Sequence, residues 1–197
     1  MAQKGRVEAL CVGVVGIEEL GKRDVQSVQV DCEGLRGDRH RGYTRVCWEA
    51  DKQPPGTERR NERQWSAVAL EELDQISRLM ELDETLTAAD VGANLCISGV
   101  TEFSRLPRGT VLKFPSGATL MIEEYNPPCL DMGEGLVSSH RRTDGQRLEA
   151  TAFSQAAKFS RGVVGVVDVA GEICVGDEVI VEVHRPPAWL SRTSADA

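Results

Sequence analysis

At 197 residues the chain is long enough for one domain, or two small ones, to bury a core without a disulfide or metal staple. Lys and Arg number 23 against 31 Asp and Glu, a net charge of −8, which argues against a sequence-independent grip on nucleic acid. At 41% hydrophobic and 27% charged, with no apolar run of about 18 residues and no secretion-type leader, the chain is expected to be globular, cytoplasmic and off the membrane.

A first strand is expected within residues 5–15. Residues 16–23, Gly-Ile-Glu-Glu-Leu-Gly-Lys-Arg, come close to a phosphate-binding loop. Arg23 stands where Ser or Thr must meet magnesium, and Glu18 and Glu19 would repel the phosphates, so an ordinary turn is the better reading. Val28, Val30 and Cys32 alternate with polar neighbours, the period of a half-buried strand. Directly after it, Gly34-Leu35-Arg36-Gly37-Asp38-Arg39-His40-Arg41-Gly42 brackets a cationic cluster with three glycines. Such a loop suits a phosphate or other oxyanion, and it also suits a plain charged turn. Residues 44–64 form the longest irregular stretch, a polar insertion that reads equally as a lid or as an inert loop.

From Ser66 the apolar residues Ala69, Leu70, Leu73, Ile76 and Met80 follow a helical period, with Glu71 and Glu72 placed for an acidic first turn. Residues 111–114 and 119–122 flank Pro115-Ser116-Gly117 as a hairpin. Asn126-Pro127-Pro128-Cys129 holds a cysteine on a stiff turn, unlike Cys11, Cys32 and Cys174 on strand patterns. A second helix is expected over residues 149–159. Strands follow at 162–169, 173–175 and 179–183, and a surface tail at 184–197. The whole reads as a mainly β chain, a barrel with a few peripheral helices.

The six cysteines contain no C-x-x-C, and the nearest pair, Cys32 and Cys47, is 15 residues apart, so zinc ribbons and thioredoxin-like motifs are excluded. His40, His140 and His184 are too dispersed for a zinc pattern. Cys129 with His140 and Asp144 could make a nucleophilic constellation, which sequence proximity alone does not establish.

The order of short motifs carries a resemblance. Gly37-Asp38-Arg39-His40 is followed by Arg63-Gln64-Trp65-Ser66, then Gly92-Ala93-Asn94-Leu95 with Ser98-Gly99. Leu106-Pro107-Arg108-Gly109, Phe114-Pro115-Ser116-Gly117-Ala118, Pro128-Cys129, Ser160-Arg161-Gly162-Val163 and Gly171-Glu172-Ile173 with Gly176-Asp177 complete the series. Over residues 5–183 the chain resembles the MOSC family, found at the C-terminus of molybdenum cofactor sulfurases and as stand-alone bacterial proteins. The resemblance implies a closed β-barrel that binds the molybdenum cofactor (molybdopterin). It implies that Cys129 is a reactive thiol that ligates molybdenum or carries sulfur. Arg39, His40, Asn94 and Arg161 match family motif positions and are the expected cofactor-binding residues; Lys158 is added on its charge and position. The cofactor pocket is expected at one barrel mouth, with residues 44–64 as its cover.

Two functions follow from the resemblance. One is reduction of N-hydroxylated substrates at a Cys129-ligated molybdenum, with electrons from an external reductase. The other is a non-catalytic carrier of sulfur, as a Cys129 persulfide supplied by a donor protein, or of the cofactor itself. The aminotransferase-like domain of full sulfurases is not expected on this chain, so pyridoxal phosphate is not an expected cofactor.

Overall fold

The computed structural model describes residues 2–13, 22–49, 51–187 and 189. In chain order its elements are β1 (Gln3–Gly13), β2 (Lys22–Val25), β3 (Ser27–Asp31), β4 (Gly34–Leu35), β5 (Thr44–Val46), β6 (Glu58–Arg60), β7 (Trp65–Ala69) and α1 (Leu70–Leu79). There follow β8 (Leu95–Ser98), a 3-10 turn (Phe103–Arg105), β9 (Val111–Lys113), β10 (Thr119–Tyr125), α2 (Leu130–Ser139), α3 (Ala150–Ala156), β11 (Val163–Val169), β12 (Gly171–Cys174) and β13 (Glu178–Glu182).

Seven strands close a barrel in the order β1-β13-β9-β10-β11-β7-β8, with β8 pairing back onto β1 and β2 added beside β1. Only β7 and β8 pair in parallel among the described strands, and α1 lies in their connection. Period-two alternation sends Val7, Leu10, Val12, Trp65, Leu95, Ile97, Leu112, Leu120 and Val181 into a filled apolar lumen. The intervening residues Cys11, Val68 and Cys96 face outwards, into a second core made with α1, α2 and α3 through Ile76, Leu136 and Phe153. The helices therefore cover one side of the barrel wall. α2 and α3 approach so closely at Gly133 that a Cβ there would collide with the Ala150 carbonyl.

Three expectations change. The helical period begins at Leu70, because Trp65–Ala69 is a buried strand; Ser66 lies on that strand and caps nothing. Residues 44–64 are not irregular. β5 and β6 pair as a ribbon, Thr44 opposite Arg60 and Val46 opposite Glu58. α2, which the sequence pattern does not announce, starts immediately after Cys129. The phosphate-loop lookalike falls largely outside the described residues; Lys22 and Arg23, its last two positions, belong to β2.

Candidate functional site

The glycine-bracketed cluster folds around Asp38, which is 3% exposed. Its Oδ2 accepts from the Gly13 amide at 2.7 Å, from Asn94 Nδ2 at 2.7 Å and from Lys22 Nζ at 3.1 Å. Its Oδ1 accepts from the His40 amide and faces His40 Nδ1, both at 2.9 Å. Burial alone would raise this carboxyl. The His40 contact, the Lys22 charge and the Gly13 and His40 amides outweigh it and hold Asp38 well below the usual carboxylate range. Lys22 is pushed the other way: burial lowers it to about 8 against the pull of Asp38. The Arg39 amide donates to the Gly13 carbonyl, and its side chain packs over Gly13.

Asn94 joins this cluster to the barrel wall. Its Nδ2 also donates to the Cys11 carbonyl at 3.0 Å, and its Oδ1 accepts from the Ser66 amide and hydroxyl, both at 3.1 Å. Ser66 lies between the lumen-facing Trp65 and Ala67, and Asn94 immediately precedes the lumen-facing Leu95. The network is therefore on the outer face of the wall near one end of β1, β7 and β8. The lumen itself is filled with apolar side chains.

The same loop carries the second half of the site. Val91 gives its carbonyl to Arg161 Nη2 at 2.5 Å. Arg161 is 7% exposed, and its Nη1 has no hydrogen-bond partner among the described residues. Burial pulls the guanidinium down to about 10; the Cys129 sulfur opposes that fall, and the neighbouring Arg63 adds to it. Gly162 makes this placement possible. It holds φ +99°, and a Cβ there would run into the Ala67 carbonyl, so only glycine lets the chain turn from Arg161 into β11. Arg63 Nη2 donates to Asn126 Oδ1 at 2.7 Å, and the Asn126 amide donates to the Gly162 carbonyl at 2.9 Å. Pro127 and Pro128 then deliver Cys129, half-buried, to the N-cap position of α2, beside the outer core.

Arg161 thus lies within electrostatic reach of Cys129, and Asp38, His40, Arg39 and Asn94 form the adjoining cluster. Lys158 is not brought into either group. It is exposed, with its ammonium 5.4 Å from the centre of the Phe159 ring. The Cys129/His140/Asp144 constellation does not form. His140 stands at the far end of α2, against Ser139 Oγ and Asp90, while Asp144 binds Arg142. Lys22, Arg63, Ser66 and Asn126 were not singled out from sequence. Arg63 and Ser66 lie inside a quoted motif, and Asn126 inside the proline turn, so position was the available signal. Among the described residues no group of three or more His, Cys, Asp or Glu could hold a metal ion. No described helix is long and apolar enough to cross a membrane.

A strand-closed barrel with one helical flank, and a cysteine presented beside a buried arginine, define the class. The chain belongs to the MOSC domain family, whose profile matches residues 52–180. It is 36% identical over 166 residues, 82% of each chain, to the Bacillus subtilis (strain 168) protein named "Putative metal-sulfur cluster biosynthesis proteins YuaD". The crystal structure of YuaD from Bacillus subtilis superposes with a TM-score of 0.86 at 30% identity, over 94% of this chain and 99% of that one. YiiM from Geobacillus stearothermophilus gives a TM-score of 0.61 at 16% identity, over 92% of this chain and 76% of its own. YiiM from Escherichia coli gives 0.58 at 16%, over 92% and 71%. The likeness to YiiM is one of fold alone.

Proposed function

We propose that the protein binds a molybdenum cofactor beside the N-terminus of α2, with Cys129 as the protein's sulfur donor to the metal. Arg161 carries this reading. A buried guanidinium N–H without a partner costs about 1–3 kcal/mol, a debt that a bound anion removes. The residues fit the group. Arg161 and Arg63 match a phosphate, and the half-buried thiol matches a soft metal. With Cys129 the single thiol described at this site, and no cluster of three ligands among the described residues, a metal here needs its remaining ligands from the cofactor.

When bound, the cofactor supplies a redox-active metal. This chain's residues do the rest. Cys129 holds the metal; Arg161 and Arg63 fix the anionic end; Arg39 and the exposed edge of His40 line the adjoining rim. Asn94 and Asp38 act by positioning, since both are fully engaged with the backbone and with each other. The substrates are N-hydroxylated compounds, reduced with two electrons from an external donor and two protons, with release of water.

The name given to the YuaD relative favours a second reading, in which Cys129 carries sulfur as a persulfide without turnover. One experiment separates the two. Protein purified from a cofactor-competent host is analysed for molybdenum, pterin and intact mass, beside Cys129→Ser. Equimolar molybdenum and pterin with reductase-dependent turnover, with metal and turnover lost in Cys129→Ser, establishes the first reading. A gain of ~32 Da on Cys129, one sulfur atom, without metal establishes the second.

A further inference from the structure

The turn that carries Arg161 does not hold itself. Phe159 and Gly162 both take positive φ, +67° and +99°, and a bulky residue in that region is strained. Side chains from other elements pin the turn. The Phe159 amide donates to the Tyr125 hydroxyl at 2.9 Å, and the Gly162 amide donates to Ser104 Oγ at 2.6 Å. Ser104, on the 3-10 turn, is 2% exposed. Its oxygen receives the Gly162 proton, so its own hydroxyl proton goes to Glu72 Oε2 at 2.6 Å. The Ser104 amide donates to Glu72 Oε1 at 3.1 Å. Glu72, on α1, therefore accepts at both oxygens, the pattern of an ionised carboxylate. Protonation at Oε1 would set it against the Ser104 amide; protonation at Oε2 would turn the Ser104 hydroxyl away.

Glu72 is also the carboxylate whose charge is least supported. Asp38 is answered by Lys22, Glu62 by Arg45, and Glu123 by Arg60 and Arg108. Glu72 forms no ion pair among the described residues, and Arg105 bonds to Glu102 instead. Burial raises the Glu72 carboxyl above the usual glutamate range; the Ser104 bonds oppose that rise, Glu71 adds to it and the Arg105 charge opposes it. The other ionisable groups near it are Tyr125 on β10 and, sharing with it an open cleft of about 700 Å³, Glu102 and Lys158. The cleft gives solvent protons a way to the carboxyl.

We propose that Glu72, acting through Ser104, is a positioning residue for Arg161: its ionised carboxylate keeps the Ser104 oxygen turned to the Gly162 amide, and so fixes the turn that sends the guanidinium inwards. The same glycine gives its carbonyl to the Asn126 amide at 2.9 Å, three residues before Cys129, so one residue registers the arginine segment against the cysteine segment. What Arg161 does for an anion rests on the cofactor reading above; its placement by Glu72 does not.

The test uses the full chain. Solution NMR follows the Gly162 amide and the Arg161 Nε–H between about pH 8 and about pH 4.5, beside Glu72→Gln, which keeps the shape and removes the charge. Both signals are expected to move with one shared midpoint above the ordinary glutamate range, and to lose that movement in Glu72→Gln. The parent titration decides the matter even where the variant folds poorly. Sulfate, doubly charged over this range, serves as the anion probe in calorimetry. Its Kd is expected to be about fivefold weaker for Glu72→Gln at about pH 7. Removing a negative charge by itself favours an anion, so weaker binding reports lost placement of Arg161. Signals without a shared midpoint, movement that persists in Glu72→Gln, or sulfate held as tightly by Glu72→Gln as by the parent overturns the proposal. Shared movement in a protein that binds no sulfate leaves the positioning standing and removes the anion reading alone.

Discussion

A carboxamide whose two N–H groups and two acceptor positions are all engaged inside the protein has nothing left for a ligand. Asn94 is in that state, bonded to Cys11, Asp38 and both donors of Ser66. Its family-matched position therefore reports a joint between loops, and in the proposed function the ligand-facing groups are Arg161 and Cys129. Replacing Asn94 by Ala would strand the Cys11 carbonyl, the Ser66 amide and one Asp38 contact in a buried setting. A loss of about 2–3 kcal/mol in urea unfolding is expected, since each unsatisfied group costs about 1–3 kcal/mol and water can reach only part of them. A loss below about 0.5 kcal/mol would show that the joint is replaceable. Lys158 stands at the other extreme. Its position near Arg161 in the chain suggested a role, but the turn between them sends Arg161 inwards and Lys158 out over Phe159.

At the scale of elements, the ribbon is the clearest case of local structure made by charge. Two arginines, Arg45 and Arg59, face each other across β5 and β6, a pairing that is unfavourable on its own. Asp51 and Glu62 reverse its sign by lying between them. Arg45→Ala leaves two nearly buried carboxylates under-compensated, so the ribbon is expected to open by about 2 kcal/mol, read as about 30-fold faster hydrogen exchange at the Cys47 and Gly56 amides. Exchange in β8 and β11 should stay as in the parent, because the ribbon's ladder bonds run only within itself. Nothing in residues 44–64 signalled this, since the stabilising pairs are separated by up to 17 residues and follow no period. Strands were legible where one face is wet, as in residues 27–31 beside the barrel and 178–182 within it, whose burial alternates. Trp65–Ala69 was not, because both its faces are covered and alternation vanishes; its apolar residues merged with those of α1 into one helical period. α2 escaped notice because Gly133 and Gly135 lower its helix propensity, although close packing on Ala150 requires the first of them. The site was legible as separate motifs. Their junction through Asn94 and Val91 depends on the parallel pairing of β7 with β8, which no local pattern encodes.

For the molecule as a whole, the Asp38 cluster ties β1, β2, the turn after β4 and the loop before β8 into one unit, so its ionisation bears on global stability. Asp38 has a folded-state affinity for protons well below that of the unfolded chain, whose ordinary carboxyl value is 3.8. Between those two values the unfolded chain binds more protons, so stability falls as pH falls. The contribution is fully present above about pH 4 and is lost progressively below it. Asp51 and Glu62 are lowered as well and act in the same direction, so acid sensitivity alone does not isolate Asp38. The difference between the parent and Asp38→Asn does. At pH 7 the variant is expected to be less stable by about 3 kcal/mol, having lost a charge that answers Lys22 and two amides. On going from pH 4 to pH 2 that gap should narrow by roughly 2 kcal/mol, as the parent loses a term the variant never had. Lys22 works in the opposite range: its lowered value of about 8 means that the unfolded chain holds the extra proton between there and 10.5, so stability gains as pH rises through that interval. Urea unfolding of both proteins at pH 2, 4 and 7 measures the acid term directly. A gap that stays constant over that series would mean that the Asp38 carboxyl titrates alike in the folded and unfolded chains, and with it would go the picture of a carboxylate held ionised by His40 and Lys22.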